Sequence, residues 1–430
     1  MYKFLLFTFL FYSNAILSQV NRCYTDKYID YRNSLNPSFR NNIDEAYNFA
    51  IANLNGSLGR DFETIRIPVV VHVLYKTENQ NLTDSLVRAQ IDILNQDYAR
   101  LNPDTNLTRE IFKPVAQATG IEFYLAQFDP TGAPTNGIIK KQTEVTSFFS
   151  LTNLDIMKSE ANGGADAWPT DQYLNIWVCN LSIPIINVPV ILGFATPPNG
   201  APNWPDNSGA SETQYDGVVI HYEVFGSIPN ATGTLESVNR GRTLVHEVGH
   251  YLGLRHIWGD PGQGEDGCIV DDGLNDTPNS AEANQQTCDY SVNSCNEGVD
   301  DFPDMIENYM DYSDENCLNM FTKQQVDAMR FIVENFRSNL LLSNANFSSP
   351  SIKLNIYPNP ANERITIKHG ILNQIGFLSI LDFSGKIVRS IKINKNDTTT
   401  DLVINDLDSG FYFVQLSSEK GTYFSKFSKF

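Results

Sequence analysis

The stretch from His246 to His256 constrains this chain most, because it reads H-E-x-x-H-x-x-G-x-x-H. His246 and His250 are four residues apart, so on a helix their imidazoles lie on one face and can share a zinc ion. Gly253 suits the left-handed conformation that ends a helix, and the reversal after it can bring His256 to the same ion. Three protein ligands leave the fourth position for water, and Glu247 can act as a base toward that water.

A bare H-E-x-x-H also occurs by chance on helices that bind nothing. Here the third histidine and the glycine stand at the required offsets, and three of the six histidines of the chain lie in this stretch. Apolar neighbours predict a buried helix over residues 239–252, and these neighbours are Leu244, Val245, Val248 and Leu252. The pattern therefore predicts a catalytic zinc site.

A chain of 430 residues is expected to contain more than one domain. Its 31 Lys and Arg against 50 Asp and Glu give a net charge of −19, which argues against nucleic-acid binding. Residues 1–18 combine one positive charge, a short apolar run and small residues, which predicts a secretory signal peptide. That run is too short to span a bilayer and no later segment is long enough, so we expect a secreted protein without a transmembrane segment.

The middle of the chain alternates strand-like and helix-like patterns. Runs rich in β-branched residues predict strands at 67–75, 121–127, 174–178 and 217–221, and helical spacing predicts a helix over 84–101. This order predicts an α/β layer with a twisted mixed sheet, against which the zinc helix lies. His72 and His221 fall within strands, where packed sheet residues are expected rather than ligands.

Residues 19–59 are polar and helix-prone, with Asn41, Asn42 and Asp44 predicted to open a helix. This leader contains one cysteine, Cys23. A thiol in the leader of a zinc protease can ligate the metal and displace the water, and the alternative is a free or mispaired thiol.

A Gly-rich acidic loop follows the zinc stretch. Its carboxylates repel one another unless a cation such as calcium lies among them, and the alternative is a solvated acidic loop. They belong to Asp260, Glu265, Asp266, Asp271, Asp272 and Asp276. Four cysteines in the same half suggest two disulfides with three possible pairings, and they are Cys268, Cys288, Cys295 and Cys317.

The end of the chain changes character again. Residues 344–352 are rich in Asn, Ser and Pro and are predicted to be a linker. Residues 353–430 alternate polar and apolar positions over short runs, which predicts a small all-β sandwich domain.

With these patterns in place, the chain resembles the pappalysin family of metzincin metalloproteases over roughly residues 60 to 340. The matching motifs are Ile67–Val73, Leu174–Trp177, the zinc stretch with His256–Asp260, Asn308–Tyr312, and Cys317–Phe321. The resemblance implies a metzincin-like catalytic domain at 60–343, with an active-site helix and a loop-rich C-terminal subdomain. It also implies a monomeric, secreted zinc-dependent endopeptidase that hydrolyses protein and peptide substrates.

The resemblance also implies roles for single residues. Met310 would form an apolar floor under the metal, and Tyr312 would hydrogen-bond the tetrahedral intermediate. Glu315 would bind a basic side chain on the primed side of the substrate; an aspartate is usual there, which leaves the choice between Arg and Lys open. Cys23 matches a leader cysteine proposed to act as a switch.

The disulfides implied by the resemblance are Cys268–Cys295 and Cys288–Cys317. Calcium would bind the loop that contains Asp272, Asn275 and Thr277. Cys179 has no role in the family pattern, so its partner stays open.

The tail resembles a type IX secretion sorting domain through Ile356–Ala361, Gly385-Lys386, Leu407–Tyr412, Lys426 and Lys429. This implies the type IX machinery as a partner and a location outside, or on the surface of, a Gram-negative bacterium. Gly59-Arg60 places a basic residue at the leader boundary, where an enzyme preferring Arg after the cut can mature itself. The alternative function is an inactive surface adhesin on a disused protease fold.

Overall fold

A computed structural model describes residues 20–53, 64–183, 188–198, 213–227, 235–260, 266–298, 301–341, 354–369, 376–382, 386–395, 397–418 and 421–430. The signal peptide at 1–18, the Gly59-Arg60 boundary, Glu265 and the linker at 344–352 lie outside the described residues. The chain divides into two compact units, Met1–Leu341 and Leu342–Phe430, and each is described by itself.

A six-stranded sheet forms the centre of the first unit, as far as the described residues show. The strands of this unit are β1 (Ile65–Tyr75), β2 (Ile121–Leu125), β3 (Ile138–Gln142), β4 (Leu174–Cys179), β5 (Ser182–Ile183), β6 (Val188–Pro189), β7 (Gly193–Ala195) and β8 (Val218–His221). The order is β2-β1-β4-β8-β7, with β3 also paired to β1, while β5 and β6 form a separate ribbon. Only β7 runs antiparallel to its neighbour among these six strands, so the predicted mixed α/β sheet is confirmed.

The central strand β1 is buried on both faces, as a strand between parallel neighbours must be. Val69, Val71 and Val73 are fully buried, and His72, between Val71 and Val73, is buried as well. The Nε2 atom of His72 lies 3.0 Å from Asn175 Oδ1, and its ring stacks on Trp177. Burial lowers the pKa of His72 to about 4, so this histidine is a neutral packed residue of the sheet.

The helices of the first unit are α1 (Thr25–Leu35), α2 (Phe39–Ala52), α3 (Asp84–Tyr98), α4 (Arg242–Tyr251) and α5 (Lys323–Phe336). The expected helix start in the leader is wrong, because α2 begins at Phe39 and a further helix precedes it. Phe39, Ile43 and Tyr47 follow one another at four-residue spacing and are all buried. That apolar stripe, rather than the Asn and Asp residues, sets where α2 begins.

The helix α4 starts three residues later than its pattern predicts. Gly241 precedes it in a left-handed conformation, with φ of +75°. The next residue, Arg242, is buried and pairs with Asp97 on α3 at 3.2 Å and with Asp104 at 2.7 Å. Loss of one member of a buried ion pair leaves the charge of the other buried without a partner, which is strongly destabilising. These contacts of Arg242 therefore fix where α4 begins.

The region between α4 and α5 is rich in loops and contains two disulfides. The structure joins Cys268 to Cys295 and Cys288 to Cys317, the pairing that the resemblance implies. Cys179 on β4 is buried and forms no disulfide in the described part of the chain.

The second unit consists of two antiparallel sheets. Its strands are β9 (Asn355–Tyr357), β10 (Arg364–Lys368), β11 (Gly376–Leu381), β12 (Ile387–Ile393), β13 (Thr399–Val403), β14 (Gly410–Ser418) and β15 (Gly421–Lys429). The sheet orders are β13-β10-β9 and β12-β11-β14-β15, and alternate residues such as Ile365, Ile367, Leu378 and Ile380 are buried. These all-β sheets match the expected small sandwich.

Within the described residues, no helix combines the length and the apolarity needed to cross a membrane.

Candidate active site

The helix α4 and the bend after it position three histidines. His246 and His250 are buried on α4. Gly253 follows with φ of +92°, and a Cβ there would lie 2.7 Å from Ile332 Cγ1, so glycine is needed for both conformation and space. The reversal brings His256, also buried, back to the same point.

The three imidazoles meet through their Nε2 atoms. These atoms lie 3.1 Å apart between His246 and His250, 3.3 Å between His246 and His256, and 3.0 Å between His250 and His256. Nitrogens at zinc–ligand distances around a tetrahedral ion lie about 3.3 Å apart. The triangle therefore has the size of a zinc ligand set.

The opposite ring nitrogen of each histidine fixes its tautomer. Each Nδ1 atom donates to an oxygen, which leaves a lone pair on each Nε2 atom. The accepting oxygens are Tyr309 O at 2.7 Å from His246, Leu254 O at 2.8 Å from His250, and the Asp260 carboxylate beside His256. Three lone pairs that point at one another without a donor between them require a cation, so the residues present fit zinc.

Burial keeps the imidazole ligands neutral, as metal binding requires, and makes the carboxyl of Glu247 harder to ionise. Burial, reinforced by the neighbouring imidazoles, lowers the pKa of His250 to about 3 and that of His246 well below its usual value. Burial raises the pKa of Glu247 to about 8. The Oε2 atom of Glu247 accepts a hydrogen bond from Thr25 Oγ1 at 3.0 Å, while its Oε1 atom has no partner among the described residues.

The short strand β7 forms the rim of the cleft above Glu247. A Cβ at Gly193 would lie 2.8 Å from Glu247 Cγ and 3.0 Å from its Oε1. Glu247 and β7 therefore approach so closely that only a residue without a side chain fits at position 193.

Met310 and Tyr312 lie on either side of the histidines. Met310 is fully buried, and its sulfur approaches Gly249 so closely that a Cβ there would lie 2.5 Å away. The ring of Tyr312 lies 5.0 Å from the ring of His256, and its hydroxyl donates to the carbonyl oxygen of Cys23 at 3.4 Å. The structure thus places Met310 against α4 and Tyr312 against the rings of His246 and His256.

The leader covers this site. The Cys23 sulfur and the three Nε2 atoms all lie within 4.8 Å of one another, and the sulfur is 3.5 Å from Glu247 Oε2. Leader residues follow the rim strand in the same direction, since Asn21 pairs with Ile191 in a parallel bridge and Tyr24 N donates to Gly193 O.

Glu315 lies at the bottom of a pocket filled by the leader. Its carboxylate is fully buried and accepts from Arg240 N at 2.5 Å and from Thr243 Oγ1 at 3.2 Å. Arg22, only 2% exposed, places its Nη2 atom 3.6 Å from Glu315 Oε1. Its Nη1 atom donates to the carbonyl oxygens of Tyr312 and Ser313.

Only some of the predicted calcium ligands and acidic residues of this loop lie together in the structure. The Asp272 carboxylate is buried, accepts from Thr277 Oγ1 at 2.7 Å and leaves Oδ2 without a partner in the described residues. Asn275 is exposed. Asp260 was expected to belong to this acidic cluster, but its carboxylate bonds to His256 instead, because it stands four residues after that ligand.

Sequence patterns also missed the partners that hold the site. The HxxxD spacing from His256 to Asp260 was an available signal. Trp258 also supports the site, because its ring stacks on that of His256 at 4.3 Å. The contacts of Arg22 and Thr25 had no local signal, since more than two hundred residues separate each of them from its partner.

Three imidazoles from one bent helical segment, a methionine beneath them and a mixed sheet with an antiparallel rim strand define a metzincin zinc metalloendopeptidase. Comparisons agree. Residues 158–334 match the family model described as pregnancy-associated plasma protein-A, and residues 355–429 match the secretion system C-terminal sorting domain.

Solved structures and curated proteins extend the match. Mature mirolysin of Tannerella forsythia in complex with a cleaved peptide is 38% identical, with a TM-score of 0.58, over 67% of this chain and 100% of that chain. A promirolysin variant from the same organism is 36% identical, with a TM-score of 0.60, over 72% of this chain and 93% of that chain. An extracellular metalloprotease of Arthroderma benhamiae is 28% identical over 67% of this chain and 78% of that protein.

This chain belongs to the pappalysin family. It is an extracellular metalloprotease for which the family implies catalytic zinc, and its sorting domain indicates export by type IX secretion.

Zinc content is expected to depend on the ligand triangle. Elemental analysis of the wild-type protein should find one zinc per chain, and His250→Ala should reduce it to a small fraction, because two imidazoles hold zinc far more weakly than three. His221→Gln is the matched control, since His221 lies on β8 and accepts a hydrogen bond from Leu181 N. Full zinc retention in His250→Ala would contradict this ligand assignment.

Proposed function

We propose that His246, His250 and His256 hold the catalytic zinc and that Glu247 is the general base of peptide hydrolysis. The observation that carries this proposal is the Nε2 triangle, in which every Nδ1 atom is bonded to an oxygen. A zinc ion held there supplies Lewis acidity toward the scissile carbonyl.

The residues around the triangle have separate tasks in hydrolysis. Glu247 takes a proton from the attacking water and passes it to the leaving nitrogen. Its Oε1 atom has no partner among the described residues and can accept that proton. Tyr312 donates its hydroxyl to the oxyanion, a role supported by its hydrogen bond to the Cys23 carbonyl in the leader-covered site.

Glu247→Gln should lower kcat/KM for a basic peptide about 1000-fold, because the amide cannot accept the proton of water. Zinc content should stay unchanged in this variant, which separates loss of the base from loss of the metal. N-terminal sequencing of secreted protein should find a cut before Arg60 in wild type and none in the variant, since we propose self-processing there. Full cleavage by the variant would contradict the base assignment, and wild type that cleaves nothing and binds no zinc would favour the adhesin alternative.

We propose further that the leader keeps the enzyme latent through Cys23. Its sulfur lies with the three Nε2 atoms within 4.8 Å and takes the position that water needs for attack. Thr25 adds a second block, because its hydroxyl donates to Glu247 and accepts from Ala195 N on the rim strand. The base and the metal position are thus both covered by one leader segment.

Cys23→Ser should shorten the maturation time of purified zymogen at least tenfold, because a neutral hydroxyl is a much poorer zinc ligand than a thiolate. Maturation is followed by gel electrophoresis at a fixed concentration. Cys179→Ser is the matched control, since Cys179 is a buried free thiol on β4 and, among the described residues, lies outside the cluster that Cys23 forms with the three zinc histidines. Equal maturation rates for wild type and Cys23→Ser would exclude the thiol as the latch.

The pocket above Glu315 supports a preference for a basic residue after the cut. Arg22 of the leader is buried there and places its guanidinium beside a buried carboxylate and two backbone carbonyls. A guanidinium has more donors than an ammonium and can bond all three acceptors at once. We therefore propose arginine in preference to lysine on the primed side.

Glu315→Gln should reduce kcat/KM about 10- to 100-fold for peptides with Arg after the cut, because a hydrogen bond to a charged partner is lost. Peptides with Leu at that position should change far less. Glu282→Gln, an exposed change of the same kind, is the control. Equal losses on both peptides would show that Glu315 supports the fold rather than specificity.

We propose a structural calcium ion at the loop of Asp272. Its buried, unpartnered Oδ2 atom and a pKa raised well above its usual value, chiefly by burial, are costs that a cation removes. Thr277 lies beside this carboxylate, while Asn275 would have to turn inward from its exposed position. Calcium content of Asp272→Asn against wild type tests this site independently of zinc.

A further inference from the structure

A second side chain of the leader, Tyr28, is buried further along the chain than Thr25, which contacts the catalytic base. Along the leader, Arg22 lies at Glu315, Thr25 lies at Glu247, and Tyr28 on α1 comes next. Tyr28 is 0% exposed. The leader thus buries one side chain before and one side chain after the residue that contacts the base.

The pocket of Tyr28 matches both its ring and its hydroxyl. The ring lies 5.0 Å from that of Phe194, which stands on the rim strand next to Gly193. The hydroxyl donates to Asp155 Oδ1 at 2.8 Å, and Lys158 Nζ donates to the hydroxyl at 3.1 Å. The same ammonium lies 4.4 Å from the ring centroid, within the range of a cation–π contact.

The walls of this pocket belong to the catalytic unit and hold one another without the leader. Asp155 and Lys158 form an ion pair at 3.4 Å, and both are buried. Lys158 Nζ also donates to Tyr215 O at 2.6 Å and to Thr196 Oγ1 at 3.3 Å. The pocket should therefore persist after α1 departs.

Removal of the leader also frees an acceptor in this pocket. Arg32 of the leader pairs with Asp155 Oδ2 at 2.8 Å and leaves together with Tyr28. Asp155 then keeps Lys158 as its partner and gains room for a new donor. Polar groups that open to a cleft after lying buried are ready partners for a substrate hydroxyl.

We propose that the mature enzyme uses the vacated Tyr28 pocket as a subsite for an aromatic substrate side chain, tyrosine above all, on the non-primed side. This inference rests on the proposed function, because the Glu315 pocket defines the primed side. Cys23 and Tyr24 precede α1, so Tyr28 lies about 11 Å along the leader from Cys23. An extended substrate covers that distance in about three residues, which places the subsite within three residues before the cut.

Tyrosine is preferred over phenylalanine for a physical reason. Both rings gain the contacts with Phe194 and with the Lys158 ammonium. Only tyrosine donates to Asp155 and accepts from Lys158, and because these groups can bond to water in the opened pocket, the net preference for tyrosine is about 3- to 10-fold. A small side chain forfeits the ring contacts as well and should be at least tenfold worse.

The test is digestion of an unbiased peptide library with mature wild-type enzyme, Asp155→Asn and the exposed control Asp171→Asn, with products sequenced by mass spectrometry. Wild type and control should enrich Tyr over Phe, and Phe over Ala, at one position within three residues before the cut. Asp155→Asn should reduce the Tyr/Phe ratio at least threefold while aromatic enrichment remains. Products without aromatic enrichment before the cut, or an unchanged Tyr/Phe ratio in Asp155→Asn, would overturn the inference.

Arginine after the cut is scored in the same products, so the two failures are distinguishable. Missing arginine enrichment overturns the proposed primed pocket, and missing aromatic enrichment overturns the Tyr28 subsite alone.

A second measurement needs no folded variant. A synthetic peptide of residues 20–35 with Cys23→Ser should inhibit mature wild-type enzyme, with Tyr28→Phe raising Ki about 3- to 10-fold and Tyr28→Ala at least 30-fold. Tyr31→Phe is the matched control, because Tyr31 is only half-buried. Equal inhibition by the Tyr28→Ala peptide would contradict the pocket assignment.

Discussion

The convergence of three Nε2 lone pairs on one point is the constraint on which the structure depends. Without a cation it is electrostatically unfavourable, and the protein holds it by bonding every Nδ1 atom to an oxygen from a nearby segment. The left-handed Gly253, the close contact of Met310 with Gly249 and the carboxylate of Asp260 all serve this one arrangement. The mixed sheet supplies the rigid layer against which α4 is packed.

The leader covers this site through separate contacts of successive residues. Arg22, Cys23, Thr25 and Tyr28 reach respectively a carboxylate pocket, the metal position, the base and an aromatic pocket. In the mechanism that we propose, each of these contacts involves a group that also takes part in catalysis or substrate binding. The proposed latency is therefore spread over several contacts of one short leader segment.

Much of this was predictable from sequence, for reasons that differ between elements. The zinc residues follow from fixed helical spacing, and the central strands follow from runs of β-branched residues. The rim strand β7 has three residues, too few for any alternation to show. Asp260 looked like its acidic neighbours, because composition does not distinguish a ligand's partner from a cation site. The contacts of Arg22 and Tyr28 join residues more than one hundred positions apart, and no local pattern encodes them.

Gly193 carries a consequence for how this enzyme can diversify. Because any side chain there would displace Glu247, the rim strand cannot vary at the residue that faces the base. Its neighbour Phe194 points to the opposite face of β7 and does not meet this restriction. Under the subsites that we propose at Phe194 and Glu315, substrate preference can therefore change while Gly193 and Glu247 stay constant.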